Sequence, residues 1–453
     1  MTSLQWGGRF TSAPDASLLA FGSSLVDDLV LAAFDVLTSH AHVDALAGGG
    51  IIDTTRAAAL HAAIARVGQE IENGQFAAYA QSSGAEDVHG AIDARVRELE
   101  PEHGAFLHAG RSRNDQVATT LALYARARAE DAAARCRSIA RSLLERASNE
   151  LEAGTRLCAT THWQPAQPVL LAFWLVAAAE PFARGAKRFS AAAESASECC
   201  PLGSSALAGS SLPLDRQAAA TRLEFARPSR NAMDAVGTRD AALDVAHAYV
   251  RACVDASRIA EELVIWATPA FGYVKLGDAS STGSSLMPQK RNPDIFELTR
   301  GVASAQIGTY AGALSSLTGM ALSYHRDLQE TKRQIVDGIE RAARALAAFE
   351  RALADTTFVR DACNAHAADG YAVATDMADA LIAQGTSARD AHAQIGALVR
   401  RAEEAGEPLD LSARASVEGK VTYGSTSPAA VRAAIASLVD ELESFDKLRM
   451  TRS

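Results

Sequence analysis

Three long stretches of the chain, residues 111–153, 238–268 and 339–369, carry neither glycine nor proline. In the second, Leu243, Ala246, Val250, Cys253, Ala260 and Leu263 recur at steps of three and four, so one apolar stripe runs down a predicted helix. Fully helical, the first stretch extends roughly 65 Å at ~1.5 Å per residue. Uncapped periodic runs of this length point to long bundle or coiled-coil helices. No alternation of comparable length indicates strands, and no internal repeat of fixed period is present. Such helices expose more apolar surface than one chain covers, which points to a bundle shared among subunits.

Shorter elements flank these runs. Gly7-Gly8-Arg9-Phe10 reads as a polar arm with a turn. Residues 13–46 and 54–73 read as helices separated by Gly48-Gly49-Gly50, with Asp53 as a cap. Residues 86–99 form another predicted helix, with Asp87, His89 and Asp93 near its start. Residues 169–179 read as a buried helix, too short to span a bilayer. Beyond Phe358 the helices shorten, punctuated by Gly385, Gly406 and Pro408, and a turn at 420–428 precedes a last helix. The predicted organisation is an N-terminal, mostly helical domain (1–110), a central long-helix bundle (111–357) and a small C-terminal helical domain (358–453).

Composition narrows the class. The 453 residues are 48% hydrophobic, 6% aromatic and 22% charged, a soluble globular balance with a core of small aliphatics. The net charge of −10 and the lack of a basic run exclude a nucleic-acid binder, and an anionic substrate would need individual Arg and Lys side chains. The six cysteines (136, 158, 199, 200, 253 and 363) form no C-x-x-C pair, which predicts reduced thiols in a cytoplasmic protein and no zinc site. The first residues show no secretory pattern, and no membrane association is expected.

The chemistry concentrates in Ser281-Thr-Gly-Ser-Ser-Leu-Met-Pro-Gln-Lys-Arg-Asn-Pro-Asp294. Gly283, Pro288 and Pro293 forbid a regular helix, so this is a loop between helices. It reads as a mobile lid that closes on an anion: Lys290 and Asn292 suit a carboxylate, and Ser284 beside flexible Gly283 suits a reacting carbon. A second constellation, Leu107-His-Ala-Gly-Arg-Ser-Arg-Asn-Asp-Gln-Val117, opens the first long run. Arg111 and Arg113 offer planar forks for carboxylates, while Ser112 and Asn114 are candidate caps at an anion-favouring helix start.

The loop from Gly283 to Pro293 resembles the shared loop of the aspartase/fumarase lyase superfamily, whose members cleave C–N or C–O bonds and release fumarate. Gly-Arg-Ser-Arg-Asn-Asp-Gln at 110–116 resembles the argininosuccinate lyase branch. Further likenesses run from Trp6-Gly-Gly-Arg-Phe10 through Glu86-Asp-Val-His89, Thr160-Thr-His-Trp-Gln-Pro-Ala-Gln-Pro168, 201–210, 231–240 and Tyr324-His-Arg-Asp-Leu-Gln-Glu-Thr-Lys332 to 423–428. The chain departs from the branch at Val26 and Ala232 (Ser usual), Ala109 (Thr), Trp163, Pro165, Phe173 (His) and Ser205 (Gly), which bears on the amine half of the substrate.

The resemblance implies an all-α, three-domain lyase with a central bundle of long helices, in which a core of about twenty helices is shared in a homotetramer. It implies β-elimination of argininosuccinate to arginine and fumarate, with no metal or organic cofactor. Its catalytic set maps to Ser284, His162, Glu297, Lys290 and Asn292. Its substrate-binding set maps to Thr161, Ser112, Arg113, Asn114, Asp87, His89, Arg239, Tyr324, Gln329 and Lys332. Ser284 as base and His162, held by Glu297, as proton donor to the leaving nitrogen is one order of events; which of the two first takes the proton stays open. From the residues alone, Glu297 reads equally as a solvated helix residue. Two other readings stand beside this one: a fumarate-releasing lyase acting on another N-substituted aspartate, and a non-enzymatic helical assembly protein.

Overall fold

The structure, a computed structural model, describes residues 15–450; the polar arm expected at Gly7-Gly8-Arg9-Phe10 lies outside them. The chain begins with α1 (Ala16–Gly22), α2 (Leu25–Asp28), α3 (Ala32–Gly48), α4 (Thr54–Glu72), α5 (Phe76–Ser82) and α6 (Val88–Leu99), then the long α7 (Arg113–Ala153). A hairpin of β1 (Arg156–Thr161) and β2 (Gln164–Leu170) leads into α8 (Leu171–Ala196). There follow β3 (Cys199–Cys200), α9 (Arg216–Arg222), β4 (Arg227–Pro228), α10 (Ala232–Gly237), α11 (Asp240–Trp266) and β5 (Val274–Lys275). The long α12 (Asp294–Ser315) and α13 (Leu328–Ala354) come next, then β6 (Thr357–Phe358) and α14 (Arg360–Ala365). The chain closes with α15 (Ala374–Ala383), α16 (Ala388–Ala405), α17 (Ala413–Glu418) and α18 (Pro428–Met450). The protein is thus mostly helical, with three small two-stranded sheets among the described residues.

Two compact units are present. The first draws on the chain up to Asp131, on Phe189–Ala248 and on Ile307–Glu340; the second draws on Ala132–Arg188, Tyr249–Gln306 and the chain from Arg341 onward. In the first unit α3 packs on α4, α6 and α9. Ala41, Ala45, Leu123, Leu202, Leu223 and Phe225 make one buried cluster there, and each large side chain contributes roughly 1.5–3 kcal/mol by leaving water. Tyr124 donates from its hydroxyl to Glu340 at 2.9 Å, which ties α7 to α13. In the second unit Phe349 packs edge-on against Phe296 and at a tilt against Phe182, and Trp174 and Trp266 meet at a tilt with centroids 4.6 Å apart. A separate small core joins Val373, Ala402 and Leu409.

Several expectations need correction. The helix read over 13–46 is broken, because Ser23 is extended and its hydroxyl donates to the Glu86 carbonyl at 3.0 Å while the Ser24 amide donates to the same oxygen at 2.9 Å. The apolar stretch from Ala16 to Gly48 is long enough to cross a membrane. It is interrupted there, however, and α3 buries Asp35, Thr38, Ser39 and His42 inside the first unit. The helix expected from residue 169 starts at Leu171, since Val169 and Leu170 pair with Leu157 and Arg156. The third uninterrupted run leaves the helix at Ala354; Thr357 and Phe358 pair with β5, and the Val359 amide reaches the Tyr273 carbonyl at 2.8 Å. Tertiary pairing of β-branched and aromatic residues there overrides helical propensity.

Candidate active site

The first unit contains a cavity of about 270 Å³. Seven of the expected substrate-binding residues line it: Asp87, Arg113, Asn114, Arg239, Tyr324, Gln329 and Lys332. Asp87 is the N-cap of α6, where one carboxylate oxygen accepts from the Gly90 amide at 2.6 Å and the other pairs with Arg113 Nε at 3.0 Å. Burial pushes the Asp87 carboxyl up, but Arg113 and the cap outweigh it and leave it below its usual value. The start of α7 is clamped by Asp115, which accepts from the backbone amides of Ser112 (3.0 Å), Gly203 (2.9 Å) and Ser205 (2.8 Å). That clamp holds Asn114 beside the 203–206 turn, where its side-chain amide donates to the Ala206 carbonyl at 2.9 Å. Ser205 has φ +56°, a left-handed conformation, which is why a glycine suits this position better.

Opposite residues come from α10–α11 and the segment before α13. A Cβ on Gly237 would stand 2.7 Å from the Ser323 carbonyl oxygen, so only glycine lets the backbone carrying Tyr324 approach. Arg239 is almost wholly buried; Nη1 donates to the carbonyls of Val236 (3.1 Å) and Thr238 (2.6 Å), while Nε and Nη2 have no partner. Burial pushes this guanidinium down to about 10, still charged at neutral pH. Lys332 pairs with Asp28 at 2.5 Å, and Ser24 donates to the other Asp28 oxygen at 2.6 Å. Four cations (Arg113, Arg239, Arg326, Lys332) face two carboxylates (Glu86, Asp87) around the cavity. His108, also in the wall, is held down to about 4 by burial and then by Arg111, so it adds no charge at neutral pH. With Asp28 pairing Lys332, the one positive charge left in excess among these residues suits an anionic group of a ligand.

Ser24, Asp28 and His108 went unrecognised in the sequence. Ser24 and Asp28 flank the apolar Leu25 and Val26, and no local signal marks them. His89 is fully buried and lies behind the wall, its Nδ1 donating to Asp35 at 3.0 Å. Burial alone would raise the Asp35 carboxyl, but His89, Arg111 and Gln116 hold it down to about 2. Ser112 is half-buried and accepts from the Asn114 amide at 3.2 Å.

The second unit carries the remaining candidates on two turns and at the start of α12, all of them exposed or half-buried. Residues 282–292 form a flap pinched by reciprocal backbone bonds between Thr282 and Asn292 (2.8 and 3.3 Å). Inside it, Ser284 Oγ accepts from the amides of Leu286 (3.3 Å) and Met287 (3.1 Å), two donors that would stabilise an alkoxide. Lys290 is exposed, and its amide donates to the Met287 carbonyl at 3.1 Å. Arg291 anchors the flap through the Leu276 carbonyl at 2.7 Å and through Asp278. His162 and Trp163 are the two tip residues of the β1–β2 hairpin, with φ +55° and +60°, the pattern of a type I′ turn. Neither is a glycine, so the tip holds backbone strain, and Thr161, His162 and Trp163 are all exposed. Within this chain Glu297 pairs with Arg300 at 3.9 Å rather than with His162.

Residues 8–308 match the family model described as Lyase, and residues 371–424 match that described as Argininosuccinate lyase C-terminal. The chain is 38% identical to the argininosuccinate lyase of Maricaulis maris over 97% of each protein. It is 40% identical to that of Nocardia farcinica over 90% of this chain and 85% of the relative. The fold is similar to a solved structure of EDDS lyase in complex with formate, with a TM-score of 0.80 and 22% identity over 98% of this chain and 93% of that one. With both family regions in order and this identity sustained along nearly its full length, the chain belongs to the argininosuccinate lyase family.

Proposed function

We propose that this protein cleaves argininosuccinate to arginine and fumarate by β-elimination. The observation that carries this reading is the cavity in which Asp87, Arg113, Asn114, Arg239, Tyr324, Gln329 and Lys332 meet, with cations in excess. Asp87 and the polar end of Gln329 suit the amino and guanidinium groups of the arginine half, and the arginines suit carboxylates. Thr161 and Ser112 complete the binding set, whereas His89, expected to contact substrate, is fully buried behind the wall and acts there through Asp35.

In the elimination, a base takes the proton from the carbon beside a succinyl carboxylate. The electron pair forms the fumarate double bond, and the C–N bond breaks towards the guanidinium nitrogen, which accepts a proton. Ser284 is the base, supported by its two amide donors. Lys290 and Asn292 stabilise the dianion that develops. His162, oriented by Glu297, serves the leaving nitrogen. Continuous monitoring of fumarate absorbance with argininosuccinate tests the reading; absence of turnover by the folded protein refutes it.

A homotetramer with shared sites follows from the same reading. It is supported by the exposed hairpin tip and by the exposure of α12, where Leu298 and Ile307 are 63% and 53% exposed and Gly301 and Gly308 face open space. Sedimentation equilibrium giving an active monomer removes this arrangement. The three-domain division at about 110 and 357 is supported at its C-terminal side by the separate core of Val373, Ala402 and Leu409 and by the second family match. A cytoplasmic location accords with a soluble metabolic enzyme. Lysis of another N-substituted aspartate, to which the departures at Val26, Ala109 and Phe173 would point, is disfavoured by the match to argininosuccinate lyases along nearly the whole chain.

A further inference from the structure

We infer that Asp35 and Gln116 are positioning residues that set the orientation of Arg113 in the cavity wall, an assignment that rests on the reading of this cavity as the substrate site. Arg113 Nη1 donates to Gln116 Oε1 at 2.7 Å. Gln116 Nε2 donates to Asp35 Oδ1 at 2.7 Å. His89 Nδ1 donates to the same oxygen at 3.0 Å. Arg113 Nε returns to Asp87 at 3.0 Å, and Asp87 caps the helix on which His89 sits. The circuit therefore ties α3, α6 and the start of α7 together, and only its Arg113–Asp87 side opens on the cavity.

Gln116 is the informative link. Its side-chain amide has a donor end and an acceptor end of nearly equal shape, so packing alone does not choose between its two orientations. Here a cation stands at one end and a carboxylate at the other. Flipping the amide would set its NH₂ against the guanidinium and its oxygen against the carboxylate, two repulsive contacts in a site closed to water. Asp35 thus selects the orientation of Gln116, and Gln116 presents a fixed acceptor to Arg113.

The arrangement is a costly way to build a core. Asp35, His89 and Gln116 have essentially no exposure, yet Asp35 Oδ2 and His89 Nε2 have no hydrogen-bond partner. All the bonding converges on one carboxylate oxygen, the one that faces Gln116. A carboxylate kept for stability alone would be satisfied through both oxygens or replaced by an apolar side chain. The asymmetry fits a group retained for what it does to Arg113.

The test uses the full-length, assembled enzyme. Asp35→Asn keeps an acceptor oxygen but removes the charge that selects the amide orientation. Gln116→Met cuts the link and leaves the buried carboxylate in place. Each is expected to raise KM for argininosuccinate about tenfold with kcat within about twofold, the signature of lost uniform binding. In an Arg113→Lys background each change should add less than about twofold, because the residue through which they act is gone. Wild-type KM in both folded variants overturns the inference, as does full additivity with Arg113→Lys. If Asp35→Asn fails to fold, Gln116→Met alone decides. If the wild type releases no fumarate, the proposed function falls by itself. Calorimetric titration with fumarate then reads the same wiring, with about tenfold weaker binding expected in both variants and unchanged binding overturning it.

Discussion

The cavity of the first unit and the flap and hairpin of the second solve different physical problems. Around the cavity, ionised side chains are buried, paired and cross-braced: Lys332 on Asp28, Arg113 on Asp87 and Gln116, His89 on Asp35. On the flap and hairpin the key side chains stand at or near the surface, and order comes from backbone, through the Thr282–Asn292 pinch and the left-handed tip at His162 and Trp163. On the proposed reading, the binding groups are pre-organised within one chain, whereas Ser284 and His162, the groups assigned to the reaction, stand at or near the surface. In the proposed elimination a poorly basic hydroxyl needs desolvation at the moment of reaction, which closure of the flap over the substrate would supply.

The sharpest way to break this contrast is to remove the hydroxyl. Ser284→Ala should lower kcat by about 10²–10⁴, the range for a lost general base, with no measurable change in the urea midpoint because the flap buries little. A fall in stability with activity retained would make Ser284 a structural residue and erase the contrast. Arg239→Met probes the other side. The guanidinium is buried with two of its nitrogens unpartnered, a state that costs about 1–3 kcal/mol for each unmade bond until an anion arrives. KM should rise about 10- to 100-fold while the urea midpoint of the free enzyme stays level or increases. Lost stability at unchanged KM would show that Arg239 serves the fold.

The two regions were also unequally legible. The flap announces itself through Gly283, Pro288 and Pro293, which act locally on the backbone, and the long helices through periodic apolar positions that need no partner to be seen. The hairpin does not. Its tip has no Asn-Gly signal, Pro165 and Pro168 argue against a strand, and the pairing of Arg156 with Leu170 is a tertiary fact. Ser24, Asp28 and Asp35 were illegible for the same reason. Their partners, Glu86, Lys332, His89 and Gln116, lie tens to hundreds of residues away, and only folding gives each polar group its meaning.

Acid sharpens the comparison with a smaller effect. The Asp35 carboxyl titrates near 2 when folded and near ~3.9 when unfolded, so its contribution is present above about pH 4 and is lost as pH falls through about 2. The amount is on the order of 2 kcal/mol. Urea midpoints measured between pH 4 and pH 2 should fall less steeply for Asp35→Asn than for the wild type. Ser284→Ala should follow the wild-type curve, since the flap holds no such group. Parallel slopes for Asp35→Asn and wild type would mean that the buried circuit does not carry this acid sensitivity.

The smallest effect concerns a junction that belongs to the braced region but uses the device of the other, a strained backbone. Ser205 sits at φ +56° while its amide donates to Asp115 at 2.8 Å. A non-glycine residue pays about 1–2 kcal/mol in that conformation, and glycine would recover it at the expense of about 0.5–1 kcal/mol of extra freedom in the unfolded chain. Ser205→Gly should therefore stabilise the protein by at most about 1.5 kcal/mol, with kcat and KM unchanged, because the amide that Asp115 grips is retained. A measurable rise in KM would mean that the strain at Ser205 helps to aim Asn114. The division between a braced binding half and a strained reacting half would then have to be drawn elsewhere.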